Sequence, residues 1–166
     1  MKKHDYWRKF ITIISLCLYL IIANSQPAFA EIHKYPETVD QVMFRSVQSL
    51  RDNDDKAWQV VLYKRVNSGI VNSLNLRLVG FPGTELLHPV PLKVTAGKVE
   101  IGKANDIWSE SDLPVNVGEY DFKPIVTQLE TDRPLRLSLS VQGDRDRELL
   151  VPPFAVREWR SLLDKS

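Results

Sequence analysis

A mainly β protein, a single small antiparallel β-sandwich or partly open barrel with a short internal helix and an amphipathic C-terminal helix, is predicted by three features of the sequence. Apolar residues alternate with polar ones along several runs. Turn-forming clusters of hairpin length separate those runs. Prolines stand where strands would begin, the position at which a missing N–H costs least. Alternation is the deciding signal: successive side chains of a strand point to opposite faces, so a half-buried strand reads with a period of two.

In chain order, residues 1–30 come first and read as a cleavable Sec-type signal peptide. Lys2, Lys3, Arg8 and Lys9 stand against a single Asp5, Phe10 to Ala23 is almost wholly apolar, and Ala28-Phe29-Ala30 is a small-x-small cleavage site. As a helix, the 14 residues from 10 to 23 would span roughly 21 Å, short of the ~30 Å hydrocarbon core, which argues against an uncleaved anchor. Pro27 ends that helix ahead of the site and leaves it extended for cleavage. Cys17 lies mid-run behind Leu16, not at the end of the run behind a small residue, so lipidation is not expected.

Residues 31–40 (EIHKYPETVD) are polar and aperiodic, and a flexible lead-in is expected there. A single β-rich domain then occupies 41–166. Within 57–66, Trp58, Val60, Leu62 and Val66 share one face. Over 74–79, Leu74, Leu76 and Leu78 oppose Asn75, Arg77 and Val79. Over 135–141, Leu135, Leu137, Leu139 and Val141 oppose Arg136, Ser138 and Ser140. The joins Arg51–Lys56, Asn67-Ser68-Gly69, Ala96-Gly97 and Gln142–Asp146 suit hairpins, and Phe81-Pro82-Gly83 suits a type II turn. Pro91 and Pro134 open strands. Asp121 is placed to cap a short helix running through Pro124 to Leu129. Pro152-Pro153 opens the second helix, whose Ala155, Trp159 and Leu162 form an i, i+4, i+7 stripe.

Composition excludes several kinds of chemistry. Residues 1–30 hold four of the 22 basic and one of the 21 acidic residues, so 31–166 carry 18 against 20, a net charge of −2. That is no electrostatic footprint for nucleic acid. The only cysteine lies in the leader, which leaves no disulfide and no thiolate metal site. No phosphate-cradling glycine loop, metal-ligand spacing or cofactor motif is present. Asp52-Asn53-Asp54-Asp55 lacks the central glycine and distal bidentate acid of a calcium loop, and a solvated turn is expected. His88 reads as a structural or exposed residue; as a general base it would need a positioned nucleophile and an orienting acid. Trp58 and Trp159 fall on apolar faces, and Trp108 is expected to be partly exposed.

The segments RSVQSLRD (45–52), AWQVVLYK (57–64), LRLVGFPG (76–83), HPVPL (88–92), VGEYDFKP (117–124), PLRLSL (134–139) and LLVPP with REW (149–159) resemble an uncharacterised family of exported cyanobacterial proteins catalogued as a domain of unknown function. The resemblance spans nearly all of 31–166. It implies a periplasmic or thylakoid-lumenal location and carries over no catalytic residues. One departure is that the turn Arg51–Lys56 has no glycine.

The functional expectation is therefore a non-catalytic binding or accessory protein with a protein partner, acting on a membrane complex from its periplasmic or lumenal side, without cofactor or metal. The alternatives are a ligand-carrying β-barrel and an unrecognised enzyme centred on His88. The outward set opposite the core leucines, Met43, Arg45, Val47, Val61, Tyr63, Arg65, Arg77 and Val79, is apolar and arginine-rich and holds no Asp or Glu. Arg45, Tyr63, Arg65, Arg77 and Val79 are the candidate binding residues, since Tyr and Arg often anchor interfaces. The competing reading is that the C-terminal helix folds back over this face.

Overall fold

The computed structural model describes residues 32–36, 41–108, 113–143 and 145–165. The segment read as a signal peptide, with Ala28 and Ala30 of its expected cleavage site and Cys17, lies outside the described residues. No helix among those residues is long and apolar enough to cross a membrane.

Among the described residues nine strands form one antiparallel sheet: β1 (His33–Pro36), β2 (Gln41–Arg51), β3 (Ala57–Asn67), β4 (Ile70–Val79), β5 (Leu92–Ala96), β6 (Val99–Asp106), β7 (Val117–Asp121), β8 (Leu135–Leu139) and β9 (Arg147–Val151). Their order is β1-β2-β3-β4-β7-β6-β5-β8-β9. Helix α1 (Lys123–Val126) follows β7, and α2 (Pro153–Leu163) follows β9. The sheet curls until β2 lies against β9, but no ladder joins them and it does not close. The segment 31–40, expected as a flexible lead-in, contributes β1, whose residues 33–36 pair with 42–45 of β2. It escapes the eye because four residues are too few to show a period.

Alternation places the core as the sequence indicates. Trp58, Val60, Leu62, Leu74, Leu76, Leu78, Leu135, Leu137 and Leu139 are all buried in one cluster. The hairpins sit at the expected joins. Ser68 and Gly69 both take positive φ, 49° and 79°, as a two-residue turn between right-twisted strands requires. In the first hairpin Asp55 supplies the positive φ, 61°, where a glycine was missing. Gly80 is needed for space instead: a Cβ there would lie 2.8 Å from the Trp58 indole.

The acidic turn is not simply solvated. The Asp52 side chain is buried; Oδ1 accepts the N–H groups of Asp54 and Lys56, each at 2.9 Å, and Oδ2 accepts Trp58 Nε1–H at 2.9 Å. Asp54 pairs with Arg147, and Asn53 Oδ1 accepts the Glu148 N–H at 3.1 Å. The turn thus latches onto β9 across the open side of the sheet.

Helix α2 buries Ala155, Trp159 and Leu162, the expected stripe, together with Val156 and Glu158. It packs on the core side. Trp159 meets Phe122 edge-on at 5.6 Å, and Glu158 accepts from Gln48 of β2 at 3.1 Å. Lys64, on the inward side of β3 and almost fully buried, donates to the carbonyls of Leu162 (3.0 Å), Leu163 (2.8 Å) and Lys165. A cation there adds a donor to carbonyls at the end of α2, where i→i+4 partners run out, and complements the negative helix end. Burial holds the Lys64 pKa below its ordinary value, opposed by the charge of Asp164. In α1 the N-cap is Phe122, not Asp121, although Asp121 Oδ1 still accepts the Lys123 N–H at 3.2 Å.

Candidate functional site

Because α2 packs on the core side, the opposite face of β2–β4 is not covered by it, and the reading in which the helix folds over that face is overturned. Cross-strand register assembles the site. Arg45 stands opposite Tyr63, Met43 opposite Arg65, and Val47 opposite Val61. On the other side of β3, Tyr63 faces Asn75, Val61 faces Arg77, and Gln59 faces Val79. Met43, Arg45, Gln59, Val61, Tyr63, Arg65, Arg77 and Val79 line an open concavity of about 260 Å³. The five candidate binding residues are thus brought together, and Val47 stands beside them, outside the lining.

Two contributors were missed. Glu119 of β7 pairs in register with Arg77, whose Nε and Nη2 donate to Glu119 Oε2 at 3.1 and 2.7 Å. The Tyr63 hydroxyl donates to the other Glu119 oxygen and accepts from Asn75 Nδ2 at 3.3 Å. The face therefore does contain an acid. Its strand is distant in sequence from β2–β4, and only the β4–β7 ladder delivers it. The second contributor is Tyr35 of β1: Arg45 stacks 3.9 Å over its ring and donates to its hydroxyl at 2.6 Å. Arg65 stands 5.0 Å and Arg77 5.8 Å from the Tyr63 ring centre.

This packing sets the electrostatics. Burial, then the bond to Glu119, raises the Tyr63 pKa and keeps the phenol neutral. For Arg77, burial works against the charge, but the bond and charge of Glu119 outweigh it and raise the pKa. Tyr63 and Arg77 are thus held by Glu119, while Arg45 is braced by the ring and hydroxyl of Tyr35.

His88 forms a second cluster. Its side chain is 9% exposed and that of Asp106 3%, with Nδ1 2.6 Å from Asp106 Oδ2. Asp106 also accepts the N–H groups of Val90 (3.3 Å) and Trp108 (2.9 Å), so the short contact places the imidazole proton on Nδ1. The His88 ring stacks on Trp108, centroids 4.1 Å apart and planes at 11°. The orienting acid that a general base needs is present. No nucleophile is bonded to it among the described residues: Nε2 is buried and without a partner there. Asp106 is spent on organising the turn after β6, and its charge, after burial, raises the Tyr120 pKa. Trp108 is half-buried, as expected for a partly exposed ring. Among the described residues no group of three or more His, Cys, Asp or Glu side chains is placed to hold a metal ion.

No curated protein and no solved structure matches the chain. A family model does match, over residues 30–162. That span covers the whole sheet, both faces and nearly all of α2, and the chain belongs to the family described as protein of unknown function (DUF3122).

Proposed function

We propose that the chain is an exported, non-catalytic binding or accessory protein that docks onto a membrane complex from its periplasmic or thylakoid-lumenal side, through the outer face of β2–β4. One observation carries the reading: α2 leaves this face uncovered while Tyr63 sits in it among Arg45, Arg65 and Arg77. Aromatic and arginine anchors set among Met43, Val61 and Val79 match the residue types enriched at protein interfaces. The leader-like residues 1–30 and the family resemblance support the compartment. Against a ligand-carrying barrel stand the core leucines and tryptophans, which fill the interior of the sheet. Against an enzyme stands a histidine whose free nitrogen is walled in.

The test is affinity purification of tagged protein from detergent-solubilised membranes, comparing wild type with Arg65→Glu and Tyr63→Ala. Co-purification of a discrete membrane protein, lost in both variants while each stays folded, is the expected result. The same partner recovered from all three would place docking elsewhere. Intact-mass measurement of the native protein should give an N-terminus at Glu31, and a full-length species would overturn the export reading.

A further inference from the structure

We infer that the chain binds a small zwitterion, a free α-amino acid with an aliphatic side chain, in a cleft at one mouth of the curled sheet, where Arg133 meets its carboxylate and Glu130 its ammonium. The cleft shares no residue with the outer face of β2–β4, so this inference and the docking reading stand or fall separately.

The sheet builds the apolar part of the site. Ala96 and Val99 are the last pair of the β5–β6 ladder, and Leu135 opens β8, which runs antiparallel to β5, so all three lie at one end of the strands. With Ile101 and Leu129 they line an open cleft of about 210 Å³ against the loop that joins α1 to β8. Leu129 and Leu135 belong to the core and Ala96 and Ile101 pack against it, whereas Val99 is 61% exposed and offers apolar surface that the core does not cover. The mouths of curled sheets are favoured ligand positions, and this one is smaller than the roughly 300–1,000 Å³ that drug-sized ligands occupy. Below it the interior is filled by core side chains, so a long acyl chain has nowhere to go.

The loop supplies the charges. Glu130 and Arg133 both line the cleft, three residues apart. Among the described residues neither makes an ion pair or a hydrogen bond, with the other or with any neighbour. The loop itself is anchored. Asp132 accepts from Arg157 and Arg160 of α2 at 2.8 and 2.6 Å, and Gln128 Nε2 donates to the Pro124 carbonyl at 2.7 Å. An acid and a base thus stand unpaired beside an aliphatic floor, on a segment already held in place, which lowers the ordering cost of binding. A ligand with one charge, such as a peptide terminus or a monocarboxylate, would answer one of them and leave the other. An α-amino acid carries both charges and an apolar chain on a single carbon, and answers all three features together.

The test is an NMR titration of the isotope-labelled processed protein with leucine, leucinamide and N-acetylleucine. Leucine should give saturable shifts of the amides of residues 96–101 and 128–135. Leucinamide lacks the carboxylate and N-acetylleucine the ammonium, and each should bind roughly tenfold more weakly, the worth of one charge-assisted contact. Glycine, with both charges and no side chain, should also bind more weakly. Arg133→Gln should bring leucine down to the level of leucinamide, and Glu130→Gln to that of N-acetylleucine. Both residues are exposed, so both variants should melt with wild type. No saturable shift at millimolar leucine overturns the inference, as do shifts confined to residues outside the cleft or binding that ignores both variants. If either derivative binds as tightly as leucine, the site takes a singly charged ligand and the zwitterion is wrong.

Discussion

The outer faces of β2–β3–β4 and of β5–β8–β9 belong to one sheet and back onto one core, yet they carry different chemistry. On β5, β6, β8 and β9 the outward residues include Lys93, Glu100, Arg136, Ser138 and Glu148, and the pairs Lys93–Glu100 and Arg136–Glu148 have both partners roughly half exposed. Such pairs contribute little. On β2–β4 the outward residues include Met43, Val61, Val79, Tyr63 and three arginines beside Gln59 and Asn75, and the carboxylate that holds Arg77, Glu119, is only 12% exposed. Both faces satisfy the same backbone and the same inward leucines. Folding alone asks nothing more of one outer face than of the other, so the aromatic and arginine content of β2–β4 is a surplus that the proposed docking would use.

The largest test of that comparison concerns what the two regions share. Leu62→Asp and Leu137→Asp, one in each region and both fully buried, should each unfold the domain, because a buried carboxylate adds its desolvation to a lost Leu worth ~2–5 kcal/mol. Ser138→Asp should cost little. Thermal melts followed by circular dichroism decide the matter, and a variant that melts one half alone would make the regions separate units. Next comes the latch between them. Asp52→Ala strands two backbone N–H groups and an indole N–H, at about 1–3 kcal/mol for each group that water does not reach; urea titration should show a loss second only to the core variants.

Smaller effects sharpen the contrast between the faces. Arg77→Ala should cost about 1–2 kcal/mol by leaving Glu119 and Tyr63 without their cation, moderated by the partial exposure of Arg77. Arg136→Ala should cost about 0–0.5 kcal/mol by the same melts. Equal losses would remove the distinction. The last difference appears in alkali. The folded Tyr63 pKa lies above the ordinary tyrosine value of 10.0, so its contribution is present below pH 10 and is lost as pH rises past it, when the unfolded chain ionises first. Tyr63→Phe should therefore flatten the decline of stability above pH 10 relative to wild type. An unchanged slope would mean that the phenol is not held neutral.

Much of this was legible from alternation alone. Trp58, Leu62, Leu76 and Leu137 declare the core because a period of two leaves one choice of inward face. The candidate site was legible as a list of outward residues on neighbouring strands, which is why Arg45, Tyr63, Arg65, Arg77 and Val79 converge. What it could not give was whatever depends on non-local pairing. Glu119 joins through a ladder between strands some forty residues apart, and Tyr35 through an edge strand too short to show a pattern. The side on which α2 packs was equally hidden, because an amphipathic stripe says that a helix buries one face and not what it buries that face against. Asp52 misled for a different reason: an acidic turn looks the same in sequence whether it faces water or folds its carboxylate under the next strand.

Lys64 ties the order of synthesis to the completion of the fold. Its ammonium is placed in the third strand, yet the carbonyls that receive it belong to residues 98 to 101 positions later. Until those residues have been made and delivered, β3 carries a charge into the interior with nothing to meet it, and Trp159 has not yet filled its place. A chain emerging from its N-terminus can pair its early hairpins but cannot seal them. Shortening the chain by its last turn of helix should therefore leave an opened, protease-sensitive sheet rather than a slightly smaller domain.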